Sequence, residues 1–313
     1  MRVTNKMLTS SLMGNVNNNL NLMQKYENQL SSKVKVDKIS DDPVAAAKIL
    51  KARSELKSQQ QYSSNMLYTG GWLRSIDDAL ADVSDVFVRA RTIAVSGSNG
   101  ATSVESSKAL GVEVNSIIDE LVHIANTDYN GSYIFAGGES KVVPFTTVSA
   151  DGNNVTAVKF ITNVTANLEK ANLQKVEISK GVTIDLAAGQ MTFHTDSSGA
   201  ADINYAFTTL IDLRDHLMNG NQQEVNDLIA KLDRLNDQVI SERAVVGAKS
   251  NRVEQAQDRV DSFNMSLNNL ISTLGDTDYL ETSALLSSQR AVYEASLMVG
   301  ANIIQPSLLK FLK

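Results

Sequence analysis

The chain has 313 residues, 42% hydrophobic and 20% charged, with a formal net charge of -6; by composition it is neither disordered nor membrane-like. It has no cysteine, which excludes disulfides, thiolate nucleophiles and cysteine-ligated zinc. Only 5% is aromatic and 3 residues are proline, lean for a compact enzyme and ordinary for long helices packed by small aliphatic side chains.

The first forty residues are the basic end, with Arg2, Lys6, Lys25, Lys33, Lys35 and Lys38 against Glu27 and Asp37. No aromatics are interleaved with these cations, so a solvated or partner-facing helix is expected rather than nucleic-acid binding. No apolar run is long enough to span a bilayer, and no membrane insertion is expected. The opening "MRVTNKMLTSSLMGNVNNNL" lacks the continuous apolar core of a cleaved secretory signal.

From Met13 the apolar positions Val16, Leu20, Met23, Leu30 and Val34 follow at steps of three and four, with Glu27 in the missing place. That is a helical stripe. It is narrow and set among asparagines, so a lone helix here is marginal in water and needs a partner. The next stretch, "ISDDPVAAAKIL", reads as a helix start. Asp42 can accept from the free N–H groups of the first turn, Pro43 suits the first helical position, and Asp41 and Asp42 both favour the positive end of the helix dipole. A capped helix explains both aspartates without a paired-carboxylate site.

That helix runs to about Ser96, loosened at Gly70-Gly71, with Leu73, Ile76, Leu80, Val83, Phe87, Ala90 and Ala94 in line. After the loop "GSNGATS" a second stripe carries Leu110, Val114, Ile117, Leu121 and Ile124. It ends at a helix-to-β transition marked by Tyr129, Asn130, Gly131, Tyr133 and Phe135; Asn-Gly is a strong hairpin-turn signal, and the two aromatics alternate as in a strand. Residues 139–201 then read as a β-rich insert, with runs such as "KVVPFTTV", "KVEISKGVTIDL" and "QMTFHT".

Helical periodicity returns with Ile203, Phe207, Leu210, Leu213 and Leu217, stopped at "NGN". A long stripe follows from Val225 to Leu274, broken only at Glu242 and Lys249. The final helix carries Ala284, Ser288, Ala291, Ala295 and Met298, small enough for a partner to approach closely, and Pro306 is expected to limit its end. Met13, Val16, Leu20, Met23 and Leu30 at one terminus and these five at the other are the expected packing or assembly seam. The fold expected is mainly α, a long antiparallel helical bundle or coiled coil with paired terminal helices and a small β-rich insert at the tip. Its domains would be 1–40 with 279–313, 41–138 with 202–278, and 139–201.

No constellation of residues asks for catalysis. His123, His194 and His216 are not spaced as metal ligands, and no HExxH, GxGxxG, P-loop or GxSxG occurs. Asp77-Asp78 and Asp119-Glu120 read as solvated faces, Gly70-Gly71 and Gly137-Gly138 as turns or bends, and Tyr129 and Tyr133 as packing anchors. No enzyme activity, cofactor or metal is expected.

Four stretches carry a resemblance to the flagellin superfamily, and within it to the hook–filament junction branch: "ISDDPVAAAKIL" (39–50), "LVHIANTDYNGSYIFAGG" (121–138), "ERAVVGAKSNRVE" (242–254) and the segment from Asp278 to Lys313. The resemblance implies terminal helices that form the inner tube of an axial structure. It implies export unfolded through the flagellar type III apparatus, with a cytoplasmic chaperone at the C-terminal helix beforehand. It implies a ring of like subunits outside the cell, between the first hook-associated protein of the hook and the flagellin filament. The stretch 88–103 is similar to the flagellin segment sensed by innate immune receptors, but has Thr92 where an acid is usual, so receptor activation is not expected. The ending "ANIIQP" is similar to flagellin's own C-terminus, which keeps a minor filament flagellin open as an alternative. A cytosolic helical-rod scaffold is the reading from outside the family.

Overall fold

The computed structural model describes residues 5–99, 103–136, 141–149, 155–160, 175–186 and 205–309. Among them are six helices: α1 (Asn5–Ser32), α2 (Pro43–Gly97), α3 (Val104–Ala125), α4 (Tyr205–Asn219), α5 (Gln222–Gly275) and α6 (Tyr279–Leu309). Between α3 and α4 lie three antiparallel strand pairs, β1 (Asp128–Tyr129) with β2 (Ser132–Tyr133), β3 (Phe145–Ser149) with β4 (Val155–Phe160), and β5 (Lys175–Ser179) with β6 (Val182–Asp185). The protein is mainly α, as its periodicity requires.

Local chemistry sets the element ends. Ser103 caps α3 by accepting from the Ser106 N–H at 3.2 Å. Gly220, at φ +70°, closes α4; its N–H bonds Leu217 O and the Asn221 N–H reaches back to His216 O, the paired pattern of a left-handed helix stop. Asn130 and Gly131 both take positive φ and turn β1 into β2, as the two-residue hairpin rule demands. Phe135 lies beyond β2 and is buried in the core rather than alternating in a strand. The run "KVEISKGVTIDL" is a hairpin rather than one strand, because Gly181 turns it at φ +74°. The run "QMTFHT", His194, Ile203 and Gly137-Gly138 lie outside the described residues.

The chain divides into two compact units, 59–260 and 1–58 with 261–313. The division falls inside α2 and α5, and the described strands fall in the first of these units.

The middle unit, 59–260, holds the large core. Leu73, Ile76, Leu80, Val83 and Phe87 of α2 meet Ile117, Leu121, Phe207, Leu210, Leu235 and Val239, all essentially without solvent exposure. Phe145 brings β3 into this core, with its ring centroid 5.3 Å from that of Phe207. The Asn126 side chain holds β3 to the end of α3 by bonding both the N–H and the C=O of Phe145, at 3.0 and 2.9 Å. Arg214 of α4 is buried yet paired: it donates to Asn115 on α3, to the Val155 carbonyl of β4 and to Asp215. A buried guanidinium without such partners costs several kcal/mol, on the order of 3–5. Gly111 allows α4 close to α3, since a Cβ there would meet Met218 at 2.8 Å and the Arg214 carbonyl at 3.3 Å.

Gly70-Gly71 does not loosen α2, which runs through both without interruption. The reason lies 58 residues downstream: a Cβ on Gly71 would come 2.1 Å from the Tyr129 hydroxyl. The glycine makes room for a ring packed among Tyr68 and Trp72. Pro306 does not limit α6 either, which runs past it to Leu309. A proline removes one backbone donor, and a single missing bond so near a helix end leaves the last turn formed.

Candidate assembly surface

The terminal unit is built differently. Asp42 caps α2, its Oδ1 accepting from the N–H groups of Val44 and Ala45 at 3.0 and 2.9 Å, with Pro43 at the first helical position. Asp41 does other work. One oxygen accepts from the Lys38 N–H at 3.1 Å and the other meets Lys25 Nζ of α1 at 3.0 Å. The Lys25 contact first, and then the Lys38 amide, hold the Asp41 carboxyl below the usual carboxylate range. The two aspartates thus fasten the start of α2 and the preceding connection, and neither faces the other as an acid–base pair.

The connections at the two ends of this unit are tied together. Lys33 takes a positive φ, the Lys35 N–H bonds Gly275 O at 2.6 Å, and the Thr277 N–H bonds Lys33 O at 3.0 Å, around a Val34–Asp276 bridge. Asp278 caps α6 by accepting from Leu280 and Glu281. A cavity of about 170 Å³ opens beside this junction, lined by Val34, Val36, Ile39, Ile49, Leu50 and Ile271 among others.

Helices α1 and α6 lie antiparallel. Asn19 bonds Ser296 and Gln289 at 3.1 and 3.0 Å, Glu27 pairs with Arg290 at 2.8 Å, and Gly300 sits where a Cβ would strike Leu12. The face α6 turns inward is Thr282, Leu286, Gln289, Tyr293, Ser296 and Gly300. The expected C-terminal seam does not pack against α1: Ala284, Ser288, Ala291, Ala295 and Met298 are all exposed. They lie two positions out of phase with the packed face, about 200° around the helix. On α1, Val16, Leu20, Met23 and Leu30 are half-buried, but Met13 points to solvent and Leu12 takes its place. Asn19 and Gln289, the polar pair at the centre of the contact, carried no hydrophobic signal and were legible only with both helices side by side.

What remains uncovered is apolar. Leu280 is 84% exposed, Met298 68% and Met13 60%, with Leu285, Val292, Leu297 and Val299 also open on α6. On α5, Phe263 and Leu270 of the long stripe are exposed as well, although Val260 and Leu267 are buried. These exposed apolar side chains are distributed along and around α6, so α6 has apolar atoms available to another molecule on more than one side. Among the described residues chemistry offers no competing site. Tyr129 packs against Tyr68 and Trp72, Tyr133 is half-buried in β2, and His123 and His216 stand apart on α3 and α4. Among the described residues no group of three or more histidines and carboxylates is placed to hold a metal. No described helix is long and apolar enough to cross a membrane.

Comparison with known proteins agrees with this architecture. Residues 3–140 match the bacterial flagellin N-terminal helical region, and 229–312 match the flagellin C-terminal helical region. Flagellar hook-associated protein 3 of Escherichia coli is 24% identical over 95% of both chains. A 31.3 kDa flagellar filament core protein of Treponema maltophilum is 23% identical over 91% of this chain and 90% of its own. The same fold appears in a putative flagellar hook-associated protein from Vibrio parahaemolyticus, with a TM-score of 0.62 and 20% identity, covering 75% of this chain and all of that one.

Proposed function

The chain belongs to the bacterial flagellin family, a family of structural flagellar subunits rather than enzymes, and on that premise we propose that it forms the junction ring between hook and filament. The observation that carries the reading is the full-length match to hook-associated protein 3, over 95% of both chains. The partners are then further copies of itself, the first hook-associated protein on the hook side and flagellin on the filament side. The place of action is the flagellum, outside the cell.

The physics of the terminal unit supports the same reading. A subunit that must cross an export channel unfolded gains from terminal helices that are marginal alone and complete only in contact with neighbours. The uncovered faces of α1 and α6 are such surfaces, and the expected seam residues Ala284, Ser288, Ala291, Ala295 and Met298 become inter-subunit contacts. The C-terminal helix, apolar and open before assembly, is the part a cytoplasmic export chaperone would cover. A filament subunit is the second reading, favoured by the comparable match to the Treponema filament core protein.

Immunogold labelling of isolated flagella with antibody to residues 139–201 separates these. A narrow band at the hook–filament boundary is the expected result. Label along the whole filament makes the chain a flagellin, and label confined to the cytosol removes the axial role and leaves a scaffold.

A further inference from the structure

Sulfur chemistry in this chain falls to methionine alone, since it has nine methionines and no cysteine. A thioether is apolar as it stands, and a peroxide converts it to a polar sulfoxide at a rate that follows its exposure. Among the described residues the methionines divide sharply. Met66 is 1% exposed in the core of the middle unit, and Met23 and Met218 are half-buried. Met7 and Met13 on α1, Met298 on α6 and Met265 on α5 are open, at 60–68%.

Three of these four open sulfurs sit on the two terminal helices. Gly300 meets Leu12 in the α1–α6 contact, so Met13 and Met298 each stand within two residues of that contact, yet both side chains face solvent. Leu297 and Val299, on either side of Met298 in the chain, are open as well. The contact itself is held by Asn19 with Ser296 and Gln289 and by Glu27 with Arg290, none of which carries sulfur. Oxidation can therefore change the outward surface of α1 and α6 and leave their pairing in place.

We propose that Met7, Met13 and Met298 form a peroxide-sensitive modification site, and that sulfoxide formation there stops a free chain from docking; this rests on the reading of the chain as an assembling flagellar subunit. The thioether sulfur attacks hydrogen peroxide, an S–O bond forms as the O–O bond breaks, and the second oxygen leaves as water. Sulfur gives up two electrons and the peroxide takes them. The product sets a strong hydrogen-bond acceptor among apolar side chains, and burying it without a donor opposes the contact. A thiol-dependent sulfoxide reductase reverses the step with release of water, so the same chain regains its surface. Chains already assembled, with these sulfurs covered by neighbours, are protected.

The test uses the purified full-length chain, with and without hydrogen peroxide, offered to hooks isolated from cells that lack it. Peptide mass spectrometry of the free chain should show Met7, Met13 and Met298 oxidised at least about tenfold faster than Met66, with far-UV circular dichroism unchanged. Retention of the oxidised chain on hooks should fall by about tenfold, and a methionine sulfoxide reductase should restore it. Met7→Leu with Met13→Leu and Met298→Leu keeps the apolar bulk without a thioether, and its retention should withstand peroxide. Met265→Leu, which removes an equally open sulfur from α5, should stay sensitive. Undiminished retention of the oxidised chain, no rescue by the reductase, sensitivity of the triple variant or resistance of Met265→Leu each overturns the site, while a narrow band of label at the boundary in untreated flagella leaves the ring reading intact. A chain that hooks do not retain even before oxidation overturns the assembly reading and the proposal with it.

Discussion

The two units use the same three-four periodicity and spend it differently. In the middle unit nearly every stripe residue is covered, from Leu73 and Leu121 to Phe207 and Val239, and the large hydrophobic core lies wholly between Met66 and Val260. In the terminal unit the buried apolar residues among those described are small or few, namely Ala45, Ala46, Ile49, Ala52, Leu267 and Leu286, and the α1–α6 contact is centred on Asn19 and Gln289. A heptad stripe states that a face exists. It does not state whether the same chain or another one covers it.

Mutation can break this contrast. Leu121→Ala, in the closed core, is expected to cost about 2–5 kcal/mol by chemical denaturation, as cavity formation does. A cost below 1 kcal/mol there would show that the middle unit is not the stable one. Gly71→Ala is expected to cost about 1–3 kcal/mol, because the Tyr129 ring must leave its place between Tyr68 and Trp72. Its signature is the near-UV circular dichroism of those aromatics, which should change. Asp42→Ala removes the cap of α2 and should cost about 1 kcal/mol; total loss of assembly with unchanged stability would instead give the carboxylate a chemical role. Met298→Ala, on the open face, should alter monomer stability by less than about 0.5 kcal/mol while lowering incorporation into flagella, and a large stability loss would mean that this face is already packed.

The smallest effect concerns pH. Asp41 is held below its ordinary value, so its contribution is complete above the unfolded carboxylate range of about 4 and disappears as pH falls through the lower folded value. The protection of the Lys38 amide relative to its intrinsic exchange rate should therefore fall in acid, and Asp41→Asn should remove that acid step. An acid step that persists in the variant would assign the effect to another group.

How much of this was legible in the sequence follows from the same contrast. The stripes of α2, α3 and α5, the Asn130-Gly131 hairpin and the stop at Gly220 are local or periodic signals, and the structure follows them. The inward face of α6 is neither. From Thr282 to Gly300 its only charges are Arg290 and Glu294, so several faces have acceptable spacing, and polar partners on α1 decide among them. Size alone pointed to the alanines, and the helix turned them outward. Gly71 misled for a related reason: a local helix-breaker rule was overruled by a tyrosine from a hairpin far along the chain.

The indole of Trp72 has one further implication. It is the sole tryptophan, it is 3% exposed, and its Nε1 donates to the Leu186 carbonyl within the middle unit. Its emission is thus a private optical channel to that unit. A melting curve followed by tryptophan fluorescence would register the loss of the aromatic cluster with Tyr68 and Tyr129, and a change confined to α1 and α6 would pass without a change in colour.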